Sequence, residues 1–189
     1  GHKLKMFDHL INKAISNATA RVIVSLYSSD LRQIQKIINV ALKHDKIVAL
    51  IGRKAQRIVD VAIKNDYLPI PEEKLIYLKF IDDKNKNDDP DLVCLVTGDR
   101  HEPYYMLQRM IRKEDKLIHI NENDTVIVAI APVSGTEKIA ARTINLLDRS
   151  EANIEIIDSE YLTGNYATSD EIKLMITMTK PQYIMPVIG

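Results

Sequence analysis

The chain has 189 residues, 46% hydrophobic and 28% charged, and its 26 Lys plus Arg balance 26 Asp plus Glu for a formal net charge of +0. That length suits one domain burying roughly 70% of the surface its unfolded chain would expose. Seven Pro and six Gly exclude wholesale disorder and collagen-like repeats. The zero balance argues against a body coated in basic residues to grip nucleic acid indiscriminately, though it leaves room for a local basic groove.

No apolar run approaches the roughly 20 residues of a membrane helix, and the opening residues have no signal-peptide pattern. Cys94 is the one cysteine, which excludes an intrachain disulfide framework and a multi-cysteine zinc site; a cytoplasmic protein with no membrane partner is expected. Gly1-His2 reads as the scar of a cleaved tag, so residues 1–5 are expected to be a tag remnant and linker and 6–189 a single domain.

In chain order, Arg21–Tyr27 (RVIVSLY) reads as a buried strand. Leu31, Ile34, Ile37, Ile38, Ala41 and Leu42 follow at helical spacing, with Asp30 placed to cap the helix. Ile47–Ile51 is the next strand, and Ala55, Ile58, Val59, Ala62 and Ile63 mark a second helix. The polar stretch Asp82–Asp91 reads as a surface loop; its five aspartates could meet a metal, but nothing in their spacing sets a geometry. Leu92–Val96 and Thr125–Ile130 are two further continuous apolar strands, and helices are expected over 104–112, 136–148 and 169–178. Strands apolar on both faces, alternating with amphipathic helices, predict an α/β fold: a doubly wound, mostly parallel sheet with helices on both faces.

Four strand ends share one grammar of a small or polar residue with glycine before a helix: Gly52-Arg53-Lys54, Thr97-Gly98-Asp99-Arg100, Ser134-Gly135-Thr136-Glu137 and Thr163-Gly164-Asn165. In a parallel sheet they share the carboxyl edge, where ligands bind. Glycine lets backbone N–H groups approach an anion, and a helix N-terminus favours negative charge. With Arg53, Arg57, Arg100 and Arg142 nearby, the combination suits phosphate. The same residues would equally serve as turn and cap chemistry; Ser134-x-x-Glu137 and Thr168-x-x-Glu171 both match the capping box.

Sharper chemistries are missing. The chain contains no Gly-x-Gly-x-x-Gly after a strand and no Gly-x-x-x-x-Gly-Lys-[Ser/Thr]. Its five histidines, His2, His9, His44, His101 and His119, show no metal-ligand pairing. His44 sits at a helix C-terminus and His101 reads as an exposed loop residue beside Glu102. Cys94 in mid-strand reads as core, as do Met175 and Met178. Tyr104 and Tyr105 could stack on bases but at a helix start more often pack.

At Val96-Thr-Gly-Asp-Arg-His-Glu-Pro103 the chain resembles the β-CASP region of RNase J-type ribonucleases of the metallo-β-lactamase superfamily. Other markers are Arg21–Ser29, Val48–Arg53, Asn123–Val128, Ala131–Lys138, Glu171–Met175, Lys180-Pro181 and Met185-Pro186-Val187, each weakly specific alone and strong in this order. The resemblance covers essentially the whole chain after the first residues. It implies a β-CASP domain whose last ~25 residues lead back toward a metallo-β-lactamase domain. It also implies a parent enzyme with 5′-to-3′ exonuclease and some endonuclease activity, two zinc ions in that other domain, and RNA in the cleft between the domains.

Carried over residue by residue, Glu102 falls at the acidic position after the Thr-Gly turn. The family's phosphate-contacting His-x-Ser-Gly-His segment corresponds to Tyr161, Leu162, Thr163, Gly164 and Asn165; the hydroxyl and glycine stay, but both histidines are gone. A further metal-binding histidine corresponds to Ile188, and the amino-terminal zinc motif is absent. The expected RNA- or phosphate-binding residues are therefore Tyr161, Leu162, Thr163, Gly164, Asn165, Ser134, Gly135, Thr97, Gly98 and Arg53. No catalytic set or metal site is expected to be complete within the chain.

The leading expectation is an RNA-binding β-CASP domain, inactive by itself, with single-stranded RNA and the metallo-β-lactamase domain as partners. The alternative is a catalytically dead assembly module that joins another ribonuclease in a homo- or hetero-oligomer. A third reading, a small-molecule phosphate-binding enzyme on the same scaffold, lacks a nucleophile–base pair.

Overall fold

In the computed structural model, residues 1–78 and 89–162 are described. The elements are α1 (His2–Asn17), β1 (Val22–Tyr27), α2 (Leu31–Lys43), β2 (Ile47–Ile51), α3 (Arg53–Lys64), β3 (Leu75–Tyr77), β4 (Leu92–Gly98), α4 (Glu102–Ile111), β5 (Thr125–Ala129), α5 (Glu137–Arg149) and β6 (Asn153–Ile156). The helix expected at 169–178, and most of the aspartate-rich loop, lie outside the described residues.

The six strands form one sheet in the order β3-β2-β4-β1-β5-β6, and every neighbouring pair is parallel. The expected doubly wound α/β architecture is what is observed. β1, β4 and β5 are buried along their whole length, because helices cover both faces of the sheet. Alternation of side chains along the strands divides the core in two. Val22, Val24 and Leu26 of β1 pack with Phe7 of α1, Ile34 and Ile37 of α2, and Val59 of α3. Ile23 and Tyr27 face the other way, toward Tyr104, Leu107 and Met110 of α4 and Leu147 of α5.

Helix α1 occupies residues expected to include a tag remnant and linker: Leu4, Phe7, Ile11 and Ile15 are buried. Their spacing puts one apolar stripe against α2. Two caps differ from expectation. Asp30 stands at the N-cap of α2 but makes no side-chain cap bond. Helix α5 starts after Thr136 rather than Ser134, because the Thr136 hydroxyl closes the preceding turn, donating to the Val133 carbonyl at 2.6 Å.

Chain direction creates the site. From β1 the chain leaves through α2 on one face toward β2, whereas from β5 it leaves through α5 on the other face toward β6. The connections diverge at the carboxyl ends of β1 and β5, the topological position at which the ligand-binding crevice of an open parallel sheet is formed. At the opposite edge, buried Arg21 reaches Asp124 at 2.6 Å and also donates to the His119 carbonyl, holding the entry to β1 against the entry to β5.

Candidate functional site

The carboxyl edge carries the loops after β1, β2, β4 and β5. After β1, Ser28 is buried and donates its hydroxyl to Asp99 Oδ1 at 2.6 Å, tying this loop to the one after β4. Lys54, in the first turn of α3, lies 3.8 Å from the same carboxylate. Both partners are well exposed, so that pair adds little stability. Its effect is to bring the loops after β1, β2 and β4 together around Asp99.

Asp30 is half-buried at the start of α2, and burial pushes its carboxyl up to about 6. Next to it, Tyr27 donates to the Ala131 carbonyl at 3.0 Å. The Tyr27 phenol is pushed upward, first by burial and then by the Tyr104 hydroxyl and the Asp30 charge. These phenols are therefore neutral hydrogen-bonding groups buried beneath the carboxyl edge of the sheet. Tyr104 is buried there, while its neighbour Tyr105 is exposed on α4, with its ring tilted toward His101 at 6.3 Å between centroids.

The glycine loops prove unequal. Gly52 has φ +126°, and a Cβ there would stand 2.0 Å from Thr97 Oγ1 and 2.8 Å from the Thr97 carbonyl oxygen. Thr97 is itself buried and donates its hydroxyl to Ile51 at 2.7 Å. A Cβ on Gly98 would lie 2.7 Å from the Glu102 Cβ, which shows how tightly α4 seats on β4. Close approach at Gly52, Thr97 and Gly98 is thus approach of chain to chain. The hydroxyl expected of Thr97 as a phosphate contact is occupied within the sheet.

Gly135 differs. It is exposed beside exposed Ser134, has φ +91°, and would set a Cβ no closer than 3.7 Å to anything, the nearest atom being Arg100 Nη2. Its N–H donates to Glu137 Oε2 at 3.0 Å. Arg100 has φ +55°, a left-handed conformation uncommon for a residue with a Cβ. Its guanidinium lies against the turn that follows β5. Arg53 and Glu102 are exposed at the starts of α3 and α4, and His101, expected to be exposed, is half-buried at the N-cap of α4.

Tyr161 is half-buried and Leu162 buried after β6, and the Leu162 carbonyl accepts from Gln33 Nε2 at 3.5 Å. Thr163, Gly164 and Asn165 lie outside the described residues. The structure therefore joins Arg53, Ser134 and Gly135 to an edge that also holds Lys54, Arg100, Asp99 and Asp30. The role of Arg100 was legible only as a basic residue near a loop, and Asp30 read as a helix cap.

The two zinc ions implied by the family have no fitting donor set here: among the described residues, no three His, Cys, Asp or Glu side chains gather to hold a metal. Cys94 is fully buried, with its thiol pushed up to about 12 by burial. His44 is spent on Asn12 at 2.8 Å and His119 on the Asp115 carbonyl at 3.0 Å. Among the described residues, no helix is long and apolar enough to cross a membrane.

Comparison with known proteins places these features in context. The family model described as the β-CASP domain of ribonuclease J matches residues 19–147. Ribonuclease J2 of Bacillus subtilis (strain 168) is 31% identical over 179 residues, covering 95% of this chain and 32% of that protein. Ribonuclease J 2 of Staphylococcus aureus (strain NCTC 8325 / PS 47) is 32% identical over 184 residues, covering 97% of this chain and 32% of that protein. The chain thus spans about a third of the length of these curated relatives. The match runs from just before β1 nearly to the end of α5, taking in the central strands and the loops that line the crevice. With the doubly wound sheet, this makes the chain a member of the ribonuclease J β-CASP domain family.

Proposed function

We propose that this domain binds single-stranded RNA through its phosphates at the carboxyl edge of the sheet, as one wall of the RNA cleft of a ribonuclease J-type enzyme. The observation that supports this reading is the placement of the Arg100 guanidinium beside the open Ser134–Gly135 turn, with Arg53 and Lys54 exposed at the start of α3 on the same carboxyl edge. The guanidinium at 100 and the glycine turn are contributed by loops on either side of β1, so a strand of RNA crossing the crevice would meet both. Exposed Tyr105 in the first turns of α4 offers a stacking surface. Thr163, Gly164 and Asn165 extend the binding surface on the strength of the family resemblance. The chain alone does not hydrolyse RNA on this reading, since Asn165 and Ile188 stand where the family carries histidines.

The second reading, an assembly module that completes an oligomer with another ribonuclease, draws support from the acids interleaved along the same edge. Asp99, Glu102 and Glu137 are exposed there, and they weaken attraction for a polyanion.

The test is fluorescence anisotropy of the chain with two short single-stranded RNAs, one 5′-phosphorylated and one with a 5′-hydroxyl, over a salt series. Phosphate recognition gives a log–log slope of about −0.7 per phosphate contacted. Tighter binding of the phosphorylated strand is expected, and Arg100→Ala should flatten the slope by about one contact. Affinity indifferent to salt, or absent, refutes the RNA reading and leaves the assembly module.

A further inference from the structure

We infer that the Glu137 carboxylate acts as a built-in stand-in for phosphate at the turn after β5, so that an incoming phosphodiester must displace it. The inference deepens the RNA-binding reading and rests on it. Three observations support it. The Gly135 N–H, a donor an anion at this turn would use, is already given to Glu137 Oε2 at 3.0 Å. Both residues are exposed, so the carboxylate is held by a solvent-facing bond that a competing anion can reach. Arg100 Nη2 lies against the same turn, 3.7 Å from where a Gly135 Cβ would stand.

A carboxylate oxygen and a phosphate oxygen ask for the same partners, a backbone N–H and a guanidinium. Whichever occupies the turn excludes the other by charge. Glu137 also sits in the first turn of α5, where the helix favours one negative group. A site filled this way would disfavour weakly bound monoanions and yield to a polyanion that gains further contacts along the edge. Glu137 is therefore a specificity-setting residue, and its removal should strengthen RNA binding.

The direction separates this role from a structural one. Glu137→Gln loses a first-turn acid and a charged acceptor, so a purely structural role predicts a lower melting temperature with equal or weaker RNA binding. The stand-in role predicts about three- to tenfold tighter binding of 5′-phosphorylated single-stranded RNA, the range expected from removing one like charge near a phosphate at intermediate dielectric. Asp148→Asn removes the same charge from the exposed far end of α5 and controls for net charge. The experiment measures melting temperature and RNA anisotropy for wild type, Glu137→Gln and Asp148→Asn at low salt.

A gain for Glu137→Gln that exceeds that of Asp148→Asn, and that disappears when Arg100→Ala is added, supports the inference. Equal gains from both substitutions, or no gain while the wild type binds, overturn it and leave the RNA-binding reading standing. Loss of binding in Glu137→Gln with melting unchanged also overturns it, since the carboxylate would then be a contact. No binding by any folded variant overturns both.

Discussion

Replacing Asp124 with Asn tests how far a buried ion pair holds the edge opposite the site. Arg21 and Asp124 are 103 residues apart in sequence and 2.6 Å apart in space. Their side chains are 1% and 4% exposed. Asp124 Oδ2 also accepts the Asn121 N–H at 2.8 Å, and Arg21 donates to the His119 carbonyl. The neutral amide keeps the shape but removes the Asp124 charge that faces the buried guanidinium, a loss of about 3–5 kcal/mol. Against a total stability of about 5–15 kcal/mol this is a large fraction. For a chain of this size it lowers the melting temperature by about 6–20 °C. Urea unfolding of wild type, Asp124→Asn and the double variant Arg21→Met/Asp124→Leu measures both the loss and the coupling. The double variant, with an apolar pair in the same space, should recover most of the stability. A loss below about 1 kcal/mol for Asp124→Asn would refute the reasoning, because a buried charge would then tolerate separation from its partner.

Asp30 predicts a pH dependence. Its folded-state carboxyl is raised from 3.8 to about 6 by burial, so the fold holds this proton more tightly than the unfolded chain does. That contribution is fully present below the unfolded value and is lost as pH rises toward about 6. Asp30→Asn should therefore gain on wild type between about pH 4 and pH 7, by up to about 3 kcal/mol in urea unfolding; a difference independent of pH would contradict the burial argument. Among the glycines, Gly52→Ala should cost at least about 3 kcal/mol, combining a backbone clash with a φ suited to glycine. Gly135→Ala, with a Cβ meeting only the end of Arg100, should cost about 1–2 kcal/mol. Melting curves that rank the two alike would show that the tight fit at Thr97 relaxes without penalty.

Much of the fold can be read from residue order alone. VIVSLY, IVALI, LVCLV and TVIVA are apolar on both faces, a pattern that permits few placements other than the interior of a covered parallel sheet. The stripes of α2 and α3 are equally explicit, since Ile34, Ile37, Ile38 and Ala41 recur at helical spacing on a polar background. β3 and β6 escaped notice for a physical reason. Among the described residues, each is an edge strand of only three or four residues, paired on one side, and so under little pressure to be continuously apolar. Helix α1 begins within residues that read as a tag remnant and linker, yet Leu4 and Phe7 start the stripe that covers α2.

The candidate site divides the same way. Glycines, hydroxyls and cations after successive strands were visible as a recurring local pattern, and parallel strands guarantee that such loops share an edge. Which of them face outward is a matter of contact between segments distant in the chain. Thr97 and Gly135 look equivalent in sequence, yet one gives its hydroxyl to β2 and the other forms an open turn beside Arg100. Arg21 reads as a strand's first residue until Asp124 arrives from across the sheet. Local composition determined the elements and the family because hydrophobic periodicity and motif order are properties of the chain itself. Strand order, the buried ion pair and the choice between a polar group bonded within the sheet and one at an exposed turn were decided only by tertiary packing, because burial and partnership depend on what the rest of the chain brings alongside.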